Sequence, residues 1–507
     1  MSVGLPDPAM RRPWYHSFLA GLFLALVALA VSPLAGLDLR SRGASENGEL
    51  TAATLFAGVC ATGWLVWALL PARPGGNSIR RGGIAGVVTA CLAYPVVLLL
   101  PEFFQADWQG VDATTFVGRV LQVLLLSLLA LVTTGFASAL LLGIAGILAG
   151  TVESRLLPQR QARVSHRPSL AGRIIRALGW VIIGLVGVLM LSFALLTFWP
   201  IRPLDGPAPS AMALTHENAL AAFAGIEAAE AALDLDPRCT SKLLTHGSKV
   251  ERVVIFYHGL TNCPAQASEL APLLFEQGYN VLVPRLPGHR EADTLTLALA
   301  DVTAEDFVAT AEGAVAMAHG LGDEVVVLGL SAGGTITAYH AQTDATLTSA
   351  VSAAPFLAPA GLPGWATQAA TNLLLFLPNL MLWWDASAPW PSQPPMDYAY
   401  PRFATHALAE LMRLGLVVSD AAGVTPAQAA HLGLLLNASD TSINNGAAQA
   451  LAAAWQRKGA MVDNRMLPAE LGLPHDIVDP RQADANTAVV YPILLDMVSA
   501  DPNSPPR

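Results

Sequence analysis

The sequence predicts a multi-pass α-helical membrane region followed by an α/β domain with a mostly parallel sheet, helices on both faces and a cap insertion. Two observations predict this fold class. The 507-residue chain is 53% hydrophobic and only 13% charged, and its apolar excess is concentrated before Pro200. After Ala211, short apolar strands alternate with helical segments, which is typical of a parallel sheet covered on both faces. The expected domains are a membrane domain at 1–200, a Pro-rich linker at 201–214, and an α/β domain at 215–507 with a cap insertion at 357–431.

Five apolar runs of the N-terminal region are long enough to cross a bilayer, which takes about 20 helical residues. They are Phe18–Gly36, Thr51–Leu70, Gly83–Leu100, one span within Thr115–Gly150, and Ile174–Trp199. An arginine-rich loop precedes the last run, and the positive-inside rule favours one span rather than two in the fourth. The N-terminus is then cytoplasmic and the α/β domain extracytoplasmic, in a multi-pass protein of the cell membrane. The first run also fits a secretory signal, because a basic segment precedes it.

Composition excludes some classes of function. A formal net charge of −10 without a basic, aromatic-rich patch argues against nucleic acid as a partner. Few ionisable residues lie within the apolar runs, which favours an anchor over a transporter. The four cysteines lack the spacing of metal ligands, and neither a metal nor an organic cofactor is expected.

The α/β domain divides into elements that alternate along the chain. An Ala- and Glu-rich segment predicts a helix, and β-branched apolar runs predict strands. The predicted helices are Thr215–Leu233, Gln266–Gln277, Ala304–His319, Gly446–Lys458 and Ala483–Ser499. The predicted strands are Ser241–Thr245, Arg252–Tyr257, Val281–Pro284, Val325–Leu328, Leu347–Ala354, Leu432–Ala438 and Met461–Leu467, the first two joined by a turn.

A Gly-x-Ser-x-Gly motif follows the strand Val325–Leu328. Gly329, Ser331 and Gly333 form it, and a helix is predicted to start directly after it. A sharp strand-to-helix turn crowds the neighbours of its corner residue, so the glycines leave the Ser331 hydroxyl exposed as a nucleophile. The backbone N–H of Ala332 then lies at the helix N-terminus, where it can stabilise an oxyanion.

A His-Gly pair follows the strand Arg252–Tyr257. After His258 and Gly259, the N–H of Leu260 is expected to be the second donor of an oxyanion hole. His258 is expected to support this loop rather than to catalyse, because it precedes the nucleophile in the chain. Cys239 and Cys263 lie near this loop, and outside the cytoplasm we expect them to form a disulfide that fixes it.

An acid and a base complete the predicted catalytic triad. Asp440 follows the strand Leu432–Ala438, and His475 lies in the loop after the last strand. Together with Ser331 they occur in the order Ser, Asp, His, each after a strand. His475 is expected to take and return the Ser331 proton, while Asp440 fixes the tautomer and stabilises the imidazolium. The rival acids, each less suitable, are Asp476, Asp463 and Asp479.

Residues 215–500 resemble the α/β-hydrolase superfamily, and within it the carboxylesterase and monoacylglycerol-lipase-like branch, also called serine aminopeptidase-like. The His258-Gly259 pair, the segment Pro284–His289, the Ser331 motif, Asp440 and His475 carry the resemblance. Relatives usually continue the Gly-His of this segment with a second glycine. Here Arg290 stands in its place, so the loop is expected to differ near the acyl pocket. The N-terminal half resembles no family that we can name.

The cap insertion is rich in apolar residues, notably Leu373–Leu377 and Leu380–Trp384. Two interpretations remain open. The cap either buries a small core of its own or forms an apolar acyl pocket that faces the bilayer.

The sequence therefore predicts a membrane-anchored serine hydrolase that cleaves carboxylic esters, with a lipophilic acyl chain, through an acyl-enzyme. A small acyl ester or lipid is the expected substrate, and the lipid bilayer is the expected partner. The alternatives are a peptidase, thioesterase or acyltransferase with the same triad, or a non-catalytic ligand-binding sensor on the same fold.

Overall fold

The computed structural model describes residues 14–31, 47–69, 80–90, 135–156, 192, 195–205, 213–289, 292–384 and 398–500. The chain divides into two compact units, Met1–Phe198 and Trp199–Arg507.

Helices make up most of the described part of the first unit. They run Trp14–Val31, Asn47–Leu69, 80–90 and Gly135–Leu156. Leu24, Val59 and Leu142 are buried in a common apolar cluster. Glycines allow close approach, since a Cβ built on Gly146 would lie 2.0 Å from the carbonyl oxygen of Gly82. Small residues therefore set the spacing of these helices.

The prediction of a multi-pass membrane region is wrong. Among the described residues, no helix has both the length and the apolar character that a membrane crossing requires. The helix Trp14–Val31 has 18 residues and rises about 27 Å, less than the about 30 Å of a hydrocarbon core. Polar residues shorten the apolar part of two further helices, with Glu49 near one end of Asn47–Leu69 and Glu153 near one end of Gly135–Leu156. Most of the predicted spans Gly83–Leu100 and Ile174–Trp199 lies outside the described residues.

The second unit contains nine strands in its described residues. They are β1 (Lys242–Leu244), β2 (Val250–Tyr257), β3 (Asn280–Val283), β4 (Gly322–Leu330), β5 (Ser349–Ala353), β6 (Met381–Trp383), β7 (Arg402–Ala404), β8 (His431–Asn437) and β9 (Val462–Leu467). The α-helices are His216–Ala231, Leu270–Glu276, Ala304–Leu321, Ala332–Thr343, Thr367–Phe376, Thr405–Val424, Asn445–Arg457 and Thr487–Ser499.

The main sheet has seven strands in the order β1-β3-β2-β4-β5-β8-β9. Only the β1–β3 pair is antiparallel, so the sheet is mostly parallel, as predicted. β4 lies at its centre with β2 and β5 as neighbours, and Val325–Leu328 is almost completely shielded from solvent. The carboxyl ends of β2, β4 and β8 consequently lie at one edge of the sheet, where α/β proteins bind ligands.

β1 and β2 follow each other in the chain, as predicted, and β1 pairs with β3, with Lys242 opposite Val283. The predicted helix Gln266–Gln277 is instead a 3₁₀ turn at Pro264–Ala267 and a helix at Leu270–Glu276. Both Gln266 and Ala267 are buried, because the turn packs against the His-Gly loop.

The cap insertion contains the helices Thr367–Phe376 and Thr405–Val424 and the antiparallel pair β6–β7. Residues 385–397 lie outside the described residues. The side chain of Trp384 donates from Nε1 to Thr261 Oγ1 over 2.9 Å, and the N–H of Tyr400 donates to the Thr261 carbonyl over 2.8 Å. The cap is therefore attached directly to the loop that follows β2.

Candidate active site

Ser331 occupies the turn between β4 and the helix Ala332–Thr343. Its φ of 57° and ψ of −112° lie in a region that non-glycine residues rarely adopt, and such strain persists only where the surroundings enforce it. The Ser331 N–H donates to the Ala353 carbonyl over 3.0 Å, and the Phe356 N–H donates to the Ser331 carbonyl over 3.1 Å. The end of β5 thus holds the serine in this conformation.

The two glycines of the motif are required by close backbone contacts. A Cβ built on Gly329 would lie 2.1 Å from the Gly333 carbonyl oxygen, and one on Gly333 would lie 1.9 Å from the Tyr257 carbonyl oxygen. Both distances are far shorter than van der Waals contact. The absence of side chains at these positions allows the helix to begin directly against the end of β2.

The structure brings Ser331, His475 and Asp440 into one hydrogen-bonded chain. Ser331 Oγ lies 2.9 Å from His475 Nε2, and His475 Nδ1 lies 2.7 Å from Asp440 Oδ2. The Asp440 side chain is fully buried, whereas that of His475 is 24% exposed. With Nδ1–H donating to the carboxylate, Nε2 is left as an acceptor for the serine proton.

The electrostatic surroundings adjust His475 for proton transfer. Burial lowers the pKa of its imidazole, but the hydrogen bond and the charge of Asp440, together with the charge of Asp476, raise that pKa above its ordinary value. The proton taken from a serine would therefore be stabilised on this imidazole.

The loops that carry the acid and the base are fastened to each other. Asn437, the last residue of β8, donates from Nδ2 to the carbonyls of Leu473 and Pro474, each over 3.0 Å. Asp440 Oδ1 accepts the N–H groups of Ser442 and Ile443. These bonds orient the second carboxylate oxygen towards His475.

The rival acids have other partners. Asp463 pairs with Arg465 over 2.6 Å, and Asp479 pairs with Arg481 over 3.0 Å. Asp476 follows His475 in the chain, yet its Oδ2 accepts amide N–H groups from Asn262 and Gln266. Among the described residues, Asp440 is therefore the carboxylate bonded to the imidazole.

The loop after β2 approaches the serine closely, since a Cβ built on Gly259 would lie 3.6 Å from Ser331 Cβ. The Gly333 N–H donates to the His258 carbonyl over 3.1 Å, which ties the loop to the start of the helix. Within the described part of the chain, no hydrogen bond is formed by the backbone N–H of Leu260 or of Ala332. Among the described residues, neither predicted oxyanion donor is therefore engaged by the backbone.

His258 supports this loop and does not contact the serine. Its Nδ1–H donates to the Gly259 carbonyl over 2.9 Å, and its Nε2 accepts the Leu286 N–H over 3.1 Å. Burial lowers the pKa of His258 well below its ordinary value, so the ring is neutral. Edge-to-face packing joins it to His289, whose pKa burial lowers to about 4.

Cys239 and Cys263 form a disulfide with Cα atoms 5.1 Å apart. The bond joins the 3₁₀ turn Pro237–Cys239 to the loop that carries Leu260. It packs in an apolar cluster with Ala265 and Tyr398. The disulfide therefore restrains the loop that follows β2.

Sequence reasoning did not assign Asn262 and Gln266, two buried amide side chains near the predicted oxyanion donor. Gln266 Oε1 accepts the Gly259 N–H over 3.0 Å. The sequence feature that could have identified them is the presence of two amide side chains in a segment that is otherwise expected to be buried. Arg290, the predicted departure from the family pattern, lies outside the described residues. No cluster of three or more potential metal ligands occurs among the residues that are described.

Comparisons with known proteins agree with this architecture. A model of the alpha/beta hydrolase family matches residues 253–480. No curated protein matches the chain.

Among solved structures, the chain is similar to a metagenome-derived lipolytic enzyme, with 18% identity, coverage of 52% of this chain and 99% of the other, and a TM-score of 0.39. It is also similar to the monoacylglycerol lipase of Paleococcus ferrophilus, with 18% identity, 51% and 98% coverage, and a TM-score of 0.37. A soluble variant of monoglyceride lipase from Saccharomyces cerevisiae gives 13% identity, 51% and 91% coverage, and a TM-score of 0.38.

These TM-scores are low, so the assignment depends on the family match and on the order of the strands. That match spans the chain from β2 to the loop beyond His475, and so includes all three side chains of the hydrogen-bonded chain. The mostly parallel sheet and the Gly-x-Ser-x-Gly turn after β4 agree with it. Residues 253–480 match the alpha/beta hydrolase family model, and this match supports a domain of the α/β-hydrolase superfamily in that part of the chain.

Proposed function

We propose that the protein is a serine hydrolase that cleaves carboxylic esters with lipophilic acyl chains through an acyl-enzyme. The observation that carries the proposal is the hydrogen-bonded chain from Ser331 through His475 to Asp440, with distances of 2.9 and 2.7 Å. A strained nucleophile next to two open backbone donors is the arrangement that acyl transfer requires.

The reaction begins when Ser331 Oγ attacks the ester carbonyl carbon and its proton passes to His475 Nε2. The carbonyl oxygen becomes an oxyanion, which accepts hydrogen bonds from the N–H groups of Leu260 and Ala332. The tetrahedral intermediate collapses when the C–O bond to the alcohol breaks and His475 returns the proton to the departing alkoxide. Asp440 stabilises the imidazolium between these two transfers.

Water then takes the place of the alcohol. His475 removes a proton from the water as its oxygen attacks the acyl-enzyme, and the same two N–H groups stabilise the second oxyanion. Breakage of the bond to Ser331 Oγ releases the carboxylic acid and returns the proton to the serine.

The preference for a lipophilic acyl chain is supported by the cap. Phe376 is 81% exposed, and Trp365 and Trp384 are about half exposed on the same insertion. Trp384 also donates to Thr261, which follows the predicted oxyanion donor by one residue. Large exposed apolar side chains on the cap, one of them bonded to the active-site loop, favour an apolar substrate.

We further propose that the α/β domain works outside the cytoplasm. The support is the disulfide between Cys239 and Cys263, because disulfides persist in oxidising compartments.

The decisive experiment compares wild type with Ser331→Ala. The variant is expected to lose turnover of p-nitrophenyl octanoate by on the order of 10⁴-fold, and to lose labelling by a fluorophosphonate probe. Ser419→Ala is a matched control, because Ser419 is half-buried in the cap helix Thr405–Val424 and bonds only to the Gly415 carbonyl in the described contacts. Wild-type turnover in Ser331→Ala would refute the proposal. Absence of labelling in the wild type would point to a ligand-binding sensor instead.

A further inference from the structure

Asp476 is a buried carboxylate that the proposed mechanism does not use. Its side chain is 8% exposed, and its Oδ2 accepts amide N–H groups from Gln266, Asn262 and Gln482 over 2.7, 2.9 and 3.1 Å. Its Oδ1 accepts two backbone N–H groups, from Val478 and Asp479. Five donors on one carboxylate define its position far more strongly than a surface acid requires.

Gln266 connects this carboxylate to the loop of the predicted oxyanion hole. Its Nε2 donates to Asp476, and its Oε1 accepts the Gly259 N–H over 3.0 Å. The amide is only 1% exposed, so no water competes for these bonds. A continuous path therefore runs from the residue beside His475 to the residue beside Leu260.

The peptide unit between Gly259 and Leu260 is fixed on its other side as well. The Gly259 carbonyl accepts Nδ1–H of His258 over 2.9 Å and the N–H of Asn262 over 3.2 Å. In a planar trans peptide the following N–H points away from that carbonyl. The direction of the Leu260 N–H is consequently set by the contacts on both sides of Gly259.

We propose that Gln266 and Asp476 are positioning residues in the hydrolytic reaction. Together they hold the Leu260 N–H in place relative to the imidazole of His475. The inference rests on the proposed function. Asp476 is the residue next to His475 in the chain. Gln266 bonds both to Asp476 and to the Gly259 N–H, so the position of Asp476 restrains the loop of the predicted oxyanion donor. The two halves of the catalytic machinery, which belong to loops more than 200 residues apart, thereby keep one relative geometry.

Two variants of similar size test this proposal. Gln266→Met removes both hydrogen bonds of the amide. Asp476→Asn places an NH₂ group against N–H donors in either orientation of the amide. We expect kcat to fall by on the order of 10²-fold in each, because a displaced oxyanion donor loses contact mainly in the transition state. KM should change by no more than about 3-fold.

An inhibitor that mimics the tetrahedral intermediate distinguishes positioning from a general structural role. An alkyl trifluoromethyl ketone adds to Ser331 and forms an oxyanion, so its Ki should weaken by the same factor as kcat. Gln342→Met is the matched control, since Gln342 is a buried amide bonded to Trp455 and Thr425 at the far end of its helix. It should lower the melting temperature and leave kcat and Ki unchanged.

Exchange of the two groups provides a rescue. In Gln266→Glu alone, two carboxylates face each other, and kcat should be low. In Gln266→Glu/Asp476→Asn, the asparagine amide can donate to the glutamate, which still accepts the Gly259 N–H. Asn262 and Gln482 still face that NH₂ group, so kcat should recover only in part, by about 10-fold over Gln266→Glu. Recovery supports the proposal, and a double variant no faster than Gln266→Glu contradicts it.

Wild-type kcat and Ki in Gln266→Met and Asp476→Asn would overturn the proposal, and so would a fall in kcat without a matching change in Ki. If either variant fails to fold, Gln482→Met removes one donor from Asp476 at a half-buried position, and a fall in kcat of about 3-fold with a parallel change in Ki is then required. A wild-type protein that neither turns over esters nor reacts with fluorophosphonate would instead refute the proposed function itself.

Discussion

The change Gly333→Ala should inactivate the enzyme although it removes no catalytic group. A Cβ at this position would lie 1.9 Å from the Tyr257 carbonyl oxygen and 2.5 Å from its carbon, and both obstacles are backbone atoms of a central strand. Ordinary contact begins at 3.4 Å, so the start of the helix must move by about 1.5 Å. Because the Gly333 N–H is bonded to the His258 carbonyl, this movement should separate the two predicted oxyanion donors, Leu260 and Ala332.

A displacement of about 1 Å in an active site can lower the rate by about 10²-fold, so kcat/KM of Gly333→Ala should fall by at least that factor. The added methyl should also reduce the free energy of unfolding by about 1–3 kcal/mol. Ester hydrolysis measures the first effect and urea unfolding the second.

Gly225→Ala provides the control, because a Cβ at Gly225 meets no atom within 4 Å in the helix His216–Ala231. Alanine should there stabilise the protein by about 0.5–1 kcal/mol and leave the rate unchanged. Wild-type kinetics in Gly333→Ala would show that the close contact with Tyr257 does not govern the oxyanion hole.

The electrostatics and the cross-link give three further predictions. Because the pKa of His475 is raised above about 6.5, kcat/KM should fall as the pH drops through that raised value. Asp440→Asn should lower kcat by about 10⁴-fold and move the acidic limb of the pH–rate profile to lower pH. An acidic limb that does not move would exclude Asp440 as the cause of the raised pKa. Replacement of Cys239 and Cys263 by serine should reduce the free energy of unfolding by about 2–4 kcal/mol, measured by urea titration, and an unchanged midpoint would contradict this. His289 is neutral in the folded protein with a pKa of about 4, so its contribution to stability is complete above about pH 6.5 and is lost as the pH falls towards 4. The free energy of unfolding of His289→Gln should therefore depend less on pH between about 6.5 and 4. The same pH dependence as wild type would exclude this role of His289.

The membrane prediction failed because composition does not fix where a helix begins and ends. The apolar runs predict continuous spans, whereas the described helices have other bounds and include Glu49 and Glu153. A run of apolar letters also fits a helix that packs against other helices, as Leu24 and Leu142 do.

The sequence by itself determined the local features of the α/β domain. A β-branched run followed by Gly-x-Ser-x-Gly can form little other than a buried strand and a sharp turn into a helix, so Ser331 could be assigned without coordinates. The order of Ser331, Asp440 and His475 along the chain named the three side chains that the structure brings together, while their catalytic roles stay predictions.

Only the tertiary structure decided which distant groups meet. Sequence patterns act over a few residues, whereas the pairing of β1 with β3, the burial of Asp476 among amide donors, and the bridge through Gln266 depend on how whole elements pack. These choices arise from burial and hydrogen bonding across the fold, which no local pattern encodes.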